Sequence, residues 1–187
     1  MATSGPNNPG TTGDDASIGT VAWASTANIA SSNNVYATAS LDAATSHYIT
    51  ATNFGFAIPT GATINGVTAE VERSYSGAGT TMRDESVKLI KGGTIQGTDK
   101  SGFVGFGFGD SYQSFGGAAD LWGLTLTPGD VNASNFGVAY AGREMSGGGA
   151  RTLQCDHMRI TITYTPATSL PLAPPQRHTY RALLART

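Results

Sequence analysis

The sequence has few charged residues, a single cysteine and no long apolar run. Charged side chains make up 13% of the 187 residues, about half of the share in an average soluble domain. Because surface charge usually keeps a monomer soluble, this scarcity favours a surface that is largely covered by other protein. The one cysteine, Cys155, excludes an internal disulfide framework.

Segments that would direct the chain to a membrane are also missing. No stretch approaches the roughly 18 apolar residues that span a bilayer. The opening MATSGPNNPGTTGDDA has neither a basic start nor an apolar run. We therefore expect no membrane contact and no secretory signal, and a protein that is made in the cytoplasm.

Composition divides the chain into three parts within the length of one domain. Residues 1–16 are rich in Gly, Pro, Asn and Thr, which predicts a flexible N-terminal arm. Residues 17–165 carry the folded domain. Residues 166–187 are Pro-rich and hold three arginines and no acidic residue, which predicts a basic docking tail. Three arginines are too few to predict a nucleic-acid interface.

The central part has the two-residue period of β-strands and no sustained helical period. In residues 66–73, GVTAEVER, apolar side chains alternate with polar ones. The pair Gly92-Gly93 separates two short apolar runs, as in a tight hairpin. In residues 151–165 the apolar series Met158, Ile160, Ile162 shares one strand face. These patterns predict an all-β fold, an antiparallel jelly-roll-like β-sandwich with extended N- and C-terminal arms.

An Asn-Phe-Gly triplet occurs twice, at residues 53–55 and 135–137. A Phe at the start of a strand buries a large apolar area, and the following Gly allows a bulge or a close approach. We therefore interpret the repeat as related packing positions rather than a ligand site. Before the second copy, Thr127, Pro128 and Asp130 predict a single capped helical turn. We assign four aromatic residues to the core: Trp23, Phe54, Trp122 and Phe136.

Two groups of side chains carry chemistry in principle. Glu70 and Glu72 share a strand face, as paired carboxylates do in glycosidases, but we interpret them as a solvated outer face, because Val67, Ala69 and Val71 already fill the inner one. Residues 155–157, Cys-Asp-His, combine three reactive types. Strict alternation puts Cys155 and His157 on one face and Asp156 on the other, which makes no metal site without further ligands. We expect an ordinary strand there.

Residues 102–110, GFVGFGFGD, alternate Gly with Phe. A phosphate-binding loop should open a helix, and no helical pattern follows. The segment is therefore either an exposed aromatic recognition loop or a packing element. Five acidic residues offer oxygen ligands for Ca²⁺ without the spacing of a calcium loop; they are Asp14, Asp15, Asp84, Glu85 and Asp110.

Three segments resemble a known family: NFGFAIPTGATINGVTAEVER, GGAADLWGLTLTPGDVNASNFGVAY and HMRITITYT. They are similar to β-sandwich virion structural proteins of tailed bacteriophages. The resemblance covers about residues 17–165 and excludes both ends of the chain. It implies a capsid decoration (cement) protein or a tail component, and it brings no catalytic residue with it. Cement proteins are often jelly-roll-like trimers with extended arms, so by analogy it also implies a homotrimer.

The resulting hypothesis is a structural protein of the virion, not an enzyme, with no cofactor and no metal. It would form a homotrimer and dock on the major capsid protein or another virion protein. In the tail, apolar anchors and arginines that pair with acidic groups would make the contact; the anchors are Leu172, Tyr180, Leu183 and Leu184, and the arginines are Arg177 and Arg181. The alternatives are a tail or baseplate component and a carbohydrate-binding β-sandwich module, which needs an exposed Trp or Tyr.

Overall fold

The structure is a computed structural model that describes residues 1–77 and 82–168. Within these ranges the chain forms ten strands, a 3-10 helical turn at Thr26–Ile29 and a short helix, α1, at Pro128–Asn132. The strands are β1 (Ala2–Asn7), β2 (Thr11–Asp15), β3 (Ala37–Leu41), β4 (Tyr48–Thr52), β5 (Thr63–Ser76), β6 (Met82–Lys91), β7 (Thr94–Gln96), β8 (Ser111–Gly116), β9 (Gly137–Glu144) and β10 (Arg151–Thr165).

The strands form two antiparallel sheets, which confirms the predicted sandwich. In sheet one, β10 is central: β1 and β3 share one of its edges, and β5 followed by β8 lies on the other. Sheet two has the order β2-β4-β9-β6-β7. Up to β6 the chain passes from one sheet to the other with every strand, and it does so again from β7 to β10. This crossing pattern is jelly-roll-like, and it places strands distant in sequence side by side.

One apolar core fills the space between the sheets. Its largest fully buried side chains include Trp122, Tyr75, Tyr140 and Phe136. The four aromatic residues assigned to the core from the sequence are all buried, at 6% exposure or less. A second, smaller cluster of Tyr48, Ile90, Ala139 and Ala141 lies on the outer face of sheet two, because these residues alternate with core residues along their strands.

The N-terminal segment forms strands, so the prediction of a flexible arm over residues 1–16 is wrong. β1 pairs with β10, and β2 pairs with β4, one in each sheet. Intrinsic propensity is poor here, but both strands complete edges whose backbone groups would otherwise lack partners. Pro6 is tolerated because the ladder of this edge strand shifts register between Ser4 and Asn7.

Local signals in the sequence are confirmed. Residues 92–93 both have positive φ and connect β6 to β7, with Lys91 opposite Thr94. Thr127 caps α1, and its hydroxyl accepts from the Asp130 N–H while the Asp130 side chain accepts from the Thr127 N–H. On β5 the apolar residues predicted to face inward are fully buried.

The two Asn-Phe-Gly copies lie side by side in sheet two. The first begins directly after β4 and the second ends at the start of β9, with Thr52 opposite Gly137. Both phenylalanines enter the core. The two segments therefore close the same end of neighbouring antiparallel strands, which supports the packing interpretation.

In the described residues, no helix is long and apolar enough to cross a membrane. The six predicted docking residues of the tail, from Leu172 to Leu184, lie outside the described residues.

Candidate functional site

A β-bulge in β10 determines where the reactive residues 155–157 point. Cys155 lies opposite Arg73 of β5, while His157 lies opposite Glu72, the next residue back, so Asp156 is the extra residue. A bulge of this kind shifts the alternation of the strand by one. Cys155 therefore joins the core, and Asp156 and His157 both lie on the outer side. The face assignment made from strict alternation is wrong for this reason.

The bulge brings three carboxylates together on the outer face of sheet one. One oxygen from each of Glu72, Asp110 and Asp156 lies within 4.8 Å of the other two. Glu72 comes from β5, Asp156 from the bulge and Asp110 from the residue before β8. If all three are ionised, each pair at that separation repels by about 3 kcal/mol at an effective dielectric constant of about 20. We call these three residues the acidic cluster.

Asp156 is held rigidly by the loop that follows the 3-10 turn. It is 1% exposed, and its Oδ2 accepts from the backbone N–H groups of Asn33 and Asn34 at 3.0 and 3.1 Å. Oδ1 accepts from Val35 N–H at 3.2 Å. A carboxylate offers about four lone-pair directions. Three of these lone pairs accept from backbone N–H groups, so one lone pair of Oδ1 stays free.

The other two carboxylates of the cluster lack such support. Both oxygens of Asp110 and Oε2 of Glu72 are buried and have no hydrogen-bond partner. Burial raises the pKa of Asp110; the nearby Tyr36 hydroxyl opposes this, and the charges of Glu72 and Asp156 raise the pKa further. Buried polar atoms in proteins are nearly always paired, so three orphaned oxygens on two neighbouring carboxylates require an explanation.

A buried histidine stands beside the cluster. His157 is 4% exposed, and its Nδ1 lies 2.7 Å from the Tyr112 hydroxyl. Burial lowers the pKa of His157, an effect that Glu72 opposes. Its Nε2 is buried and has no hydrogen-bond partner. The ring therefore contributes a fourth orphaned polar atom next to Glu72, its neighbour across the ladder.

Glu70, two residues before Glu72, has a different environment. Arg159 binds its carboxylate through Nε and Nη2 at 2.8 and 3.1 Å. The Arg159 guanidinium also stacks over the Tyr112 ring, 3.8 Å from the centroid. The two glutamates considered as a pair from the sequence thus belong to separate groups, one neutralised by arginine and one in the acidic cluster.

The Gly-Phe segment divides between core packing and exposure. Phe106 packs against the core, with the Arg73 guanidinium 4.4 Å from its ring centroid. Phe103 and Phe108 remain 59% and 54% exposed. Packing and exposure, the two alternatives drawn from the sequence, thus occur in different residues of one loop, and a recognition role of the exposed ones stays a prediction.

Further exposed apolar side chains lie on segments that adjoin this loop. Val104 is anchored through its carbonyl to the Asp84 N–H, and Phe106 through its N–H to the Met82 carbonyl. Met82 pairs with Glu144, the residue before the exposed Met145. Val35 donates its backbone N–H to Asp156, which lies beside Asp110 at the end of the Gly-Phe segment. We call the resulting set the apolar end; it consists of Val35, Phe103, Val104, Phe108 and Met145.

A groove of about 490 Å³ runs along the outer face of sheet two. Asn53 and Asn135 of the two repeated triplets both line it, together with Thr50, Thr52 and Asp14. Asn53 adopts positive φ of 60°, a conformation that Asn tolerates better than most residues. In each triplet the Asn therefore lies at the surface, while the Phe packs in the core.

The remaining calcium candidates are dispersed and already engaged. Asp14 binds the Trp23 N–H and His47, and Asp15 binds Ser17. Asp84 pairs with buried Arg73, and Glu85 with Arg83. Of these five acidic residues only Asp110 belongs to the acidic cluster, together with Glu72 and Asp156, which the calcium prediction did not include.

The sequence contained one signal for the bulge that strict alternation overlooks. Apolar residues occupy odd positions at Leu153 and Cys155 and even positions from Met158 onward. Such a change of phase within one strand is what a bulge produces. The partners at Glu72 and Asp110 are not signalled, since they come from 84 and 46 positions upstream.

Comparison of the chain with protein-family models, curated proteins and solved structures finds no match.

Proposed function

We propose that this protein is a structural subunit of a bacteriophage virion, a capsid decoration (cement) protein that assembles as a homotrimer. The apolar end of the sandwich is the observation that carries the proposal. It gathers five of the six large apolar side chains that are exposed in the described part of the chain. Exposed apolar side chains that are concentrated in one region mark protein interaction sites.

The chemistry of this end is that of a protein interface. Aromatic residues, Met and Arg are enriched at such interfaces, and Phe103, Phe108 and Met145 supply the first two types. Arg83 supplies the third, with its guanidinium 5.0 Å from the Phe103 ring centroid. The loop that carries Phe103, Val104 and Phe108 is anchored to β6 by backbone hydrogen bonds, so that little ordering of it is needed on association.

The phage assignment rests on the resemblance of residues 17–165 to virion proteins and on the low charge of the chain. A decoration subunit needs contacts with its own copies and with the lattice beneath. In this proposal the apolar end makes the first contact and the basic tail, residues 166–187, makes the second on the major capsid protein or another virion protein. A tail or baseplate component remains the alternative location.

The test is the native mass by light scattering, over a wide range of concentration. We expect the full chain to be a trimer, and the double variant Phe103→Ser/Phe108→Ser to associate at least tenfold more weakly, since buried aromatic anchors dominate interfaces. A chain cut after Thr165 should stay trimeric.

Ile95→Ser is the matched control, because it removes a half-buried apolar side chain from the outer face of sheet two and should leave the mass unchanged. A wild-type protein that stays monomeric throughout would contradict the trimer. A double variant that associates as well as the wild type would place the contact elsewhere.

Carbohydrate binding is the second candidate, and the groove on sheet two favours it. Its hydroxyl, amide and carboxylate groups match the hydrogen-bonding needs of a sugar. This alternative predicts an exposed Trp or Tyr platform; neither tryptophan supplies one, as Trp23 and Trp122 are 6% and 0% exposed. Titration with a glycan panel, followed by calorimetry, checks it. Asn135→Ala should abolish any binding in the groove while Asn33→Ala, at the other sheet, should not.

A further inference from the structure

We infer that the acidic cluster of Glu72, Asp110 and Asp156 is a binding site for a divalent cation, with Ca²⁺ as the ion that fits best. This inference goes beyond the proposed function and does not depend on the oligomeric state. It rests on the convergence of the three carboxylates and on the orphaned polar atoms around them.

The ligand set is that of a hard cation. Ca²⁺ takes six to eight oxygen ligands and accepts carboxylates in one- or two-oxygen contacts. Four oxygens are available: Oε2 of Glu72, both oxygens of Asp110 and the free lone pair of Asp156 Oδ1. Water completes the shell. Cys155 points into the core, so no thiolate competes, and a ligand set of carboxylate oxygens and water suits Ca²⁺ better than zinc or copper.

Burial of the unpaired groups points to a missing partner. His157 is 4% exposed and directly opposite Glu72, yet its Nε2 has no hydrogen-bond partner. With its Nδ1 accepting from the Tyr112 hydroxyl, Nε2 carries the proton; with Nδ1 donating, Nε2 offers a lone pair. In the second tautomer it accepts from a cation-bound water, as outer partners do at metal sites. One ion therefore gives a partner to the three orphaned carboxylate oxygens and, in that tautomer, its bound water gives one to Nε2.

The architecture is also that of a built site rather than a chance gathering. Asp156 is fixed by three backbone N–H groups of residues 33–35. Glu72 lies on β5 and Asp110 adjoins β8, its neighbour in the sheet. A cation there ties the 31–36 loop to the end of the Gly-Phe loop, and so fixes two segments that carry apolar side chains of the apolar end.

The competing explanation is a shared proton. Without a cation, one of the three carboxylates takes up a proton to relieve the repulsion. That explanation predicts no response to added metal, so the two are separated by direct binding.

The experiment uses the full chain, stripped with EDTA and then titrated with CaCl₂, by calorimetry and by thermal unfolding. We expect saturable 1:1 binding and a rise in Tm of about 5 °C or more at a hundredfold excess over Kd. Terbium, which replaces Ca²⁺ and is excited through nearby tyrosines, gives a second readout.

Asp110→Asn is the decisive variant, because it removes one negative charge from the acidic cluster and keeps the size of the side chain. It should raise Tm in EDTA by removing repulsion, and weaken Ca²⁺ binding at least tenfold. Glu70→Gln is the matched control on the same strand and face, where Arg159 already neutralises the carboxylate. It should keep the wild-type response to Ca²⁺.

Three results would overturn the inference. The first is no saturable Ca²⁺ binding by the wild type. The second is an equal Ca²⁺ response in the wild type and in Asp110→Asn. The third is a response to Mg²⁺ alone, which would reject Ca²⁺ as the ion. None of these readouts requires association of subunits, so the cation site and the trimer fail or succeed separately.

Discussion

The Arg73 guanidinium meets the Asp84 carboxylate across the interior of the sandwich. Nε and Nη2 of Arg73 each lie 2.7 Å from one carboxylate oxygen, and the two side chains are 3% and 0% exposed. Arg73 belongs to β5 in sheet one and Asp84 to β6 in sheet two, so the pair links the sheets. The Tyr140 hydroxyl donates to Asp84 Oδ1 at 3.1 Å and completes a buried polar network.

Replacing one partner of this pair should destabilise the fold far more than replacing both partners with apolar residues. Asp84→Asn leaves the Arg73 charge buried and unpaired, which costs about 3–5 kcal/mol of the free energy of unfolding. The double variant Arg73→Met/Asp84→Leu should cost much less than the sum of the single ones. Urea denaturation measures both. Glu70→Gln breaks the partly exposed pair with Arg159 and should cost at most about 1 kcal/mol; equal losses at the two sites would contradict this account.

The glycines of the two Asn-Phe-Gly copies should respond differently to alanine. A Cβ at Gly137 would lie 1.9 Å from the Ala51 carbonyl oxygen, so Gly137→Ala forces β4 and β9 apart. At Gly55 nothing lies within 4 Å, but φ is +65°, so Gly55→Ala costs about 1–2 kcal/mol of strain. We expect Gly137→Ala to fail to fold or to lose several kcal/mol, judged by urea denaturation and yield. Similar losses at both positions would argue against this difference.

The cap of α1 should contribute measurably to stability. Thr127→Ala removes the hydroxyl that accepts from the Asp130 N–H at 3.2 Å, and a lost cap costs about 1 kcal/mol. The control Thr125→Ala changes an exposed threonine two residues earlier and should be neutral. Differential scanning calorimetry of the two variants decides the point, and indistinguishable Tm values would reject the cap.

Asp99 should make stability depend on pH in the acid range. Burial alone would raise its pKa, but hydrogen bonds from the Ser86 hydroxyl and from the N–H groups of Ser101 and Val87 outweigh it, so the pKa is lowered. A lowered pKa in the folded state means a contribution present above the unfolded value of about 3.9 and lost as pH falls through the folded value.

Asp99→Asn should therefore lower Tm at pH 7, and the difference from the wild type should shrink as pH falls below about 4. Thermal unfolding from pH 7 to 2.5 measures it. A difference that stays constant with pH would show that the variant acts through packing and not through the carboxylate.

Features that depend on neighbours along the chain were predictable. The glycine hairpin at residues 92–93, the capped turn at Thr127 and the alternation of residues 66–73 each follow from local φ/ψ preference, capping or side-chain period. These act within a few residues, so the pattern in the sequence already contains their cause. The all-β class followed from the repetition of such signals.

Features that depend on residues distant in the sequence could not be predicted. Residues 2–15 have the composition of a loop but form strands, because the edges of β10 and β4 offer them hydrogen bonds. The side-by-side position of the two Asn-Phe-Gly copies likewise follows from the pairing of β4 with β9 and from no property of the triplets.

The sequence by itself determined the all-β sandwich class, the hairpin at residues 92–93, the capped turn at Thr127 and the four aromatic core residues, because each depends on local preference or on burial of apolar side chains. Tertiary structure alone decided which polar groups meet. The bulge at Asp156 turns one carboxylate outward, and strand pairing across long separations brings Glu72 and Asp110 to it. Registers and bulges minimise the energy of the whole sheet rather than of any segment, and so the acidic cluster emerges only in the fold.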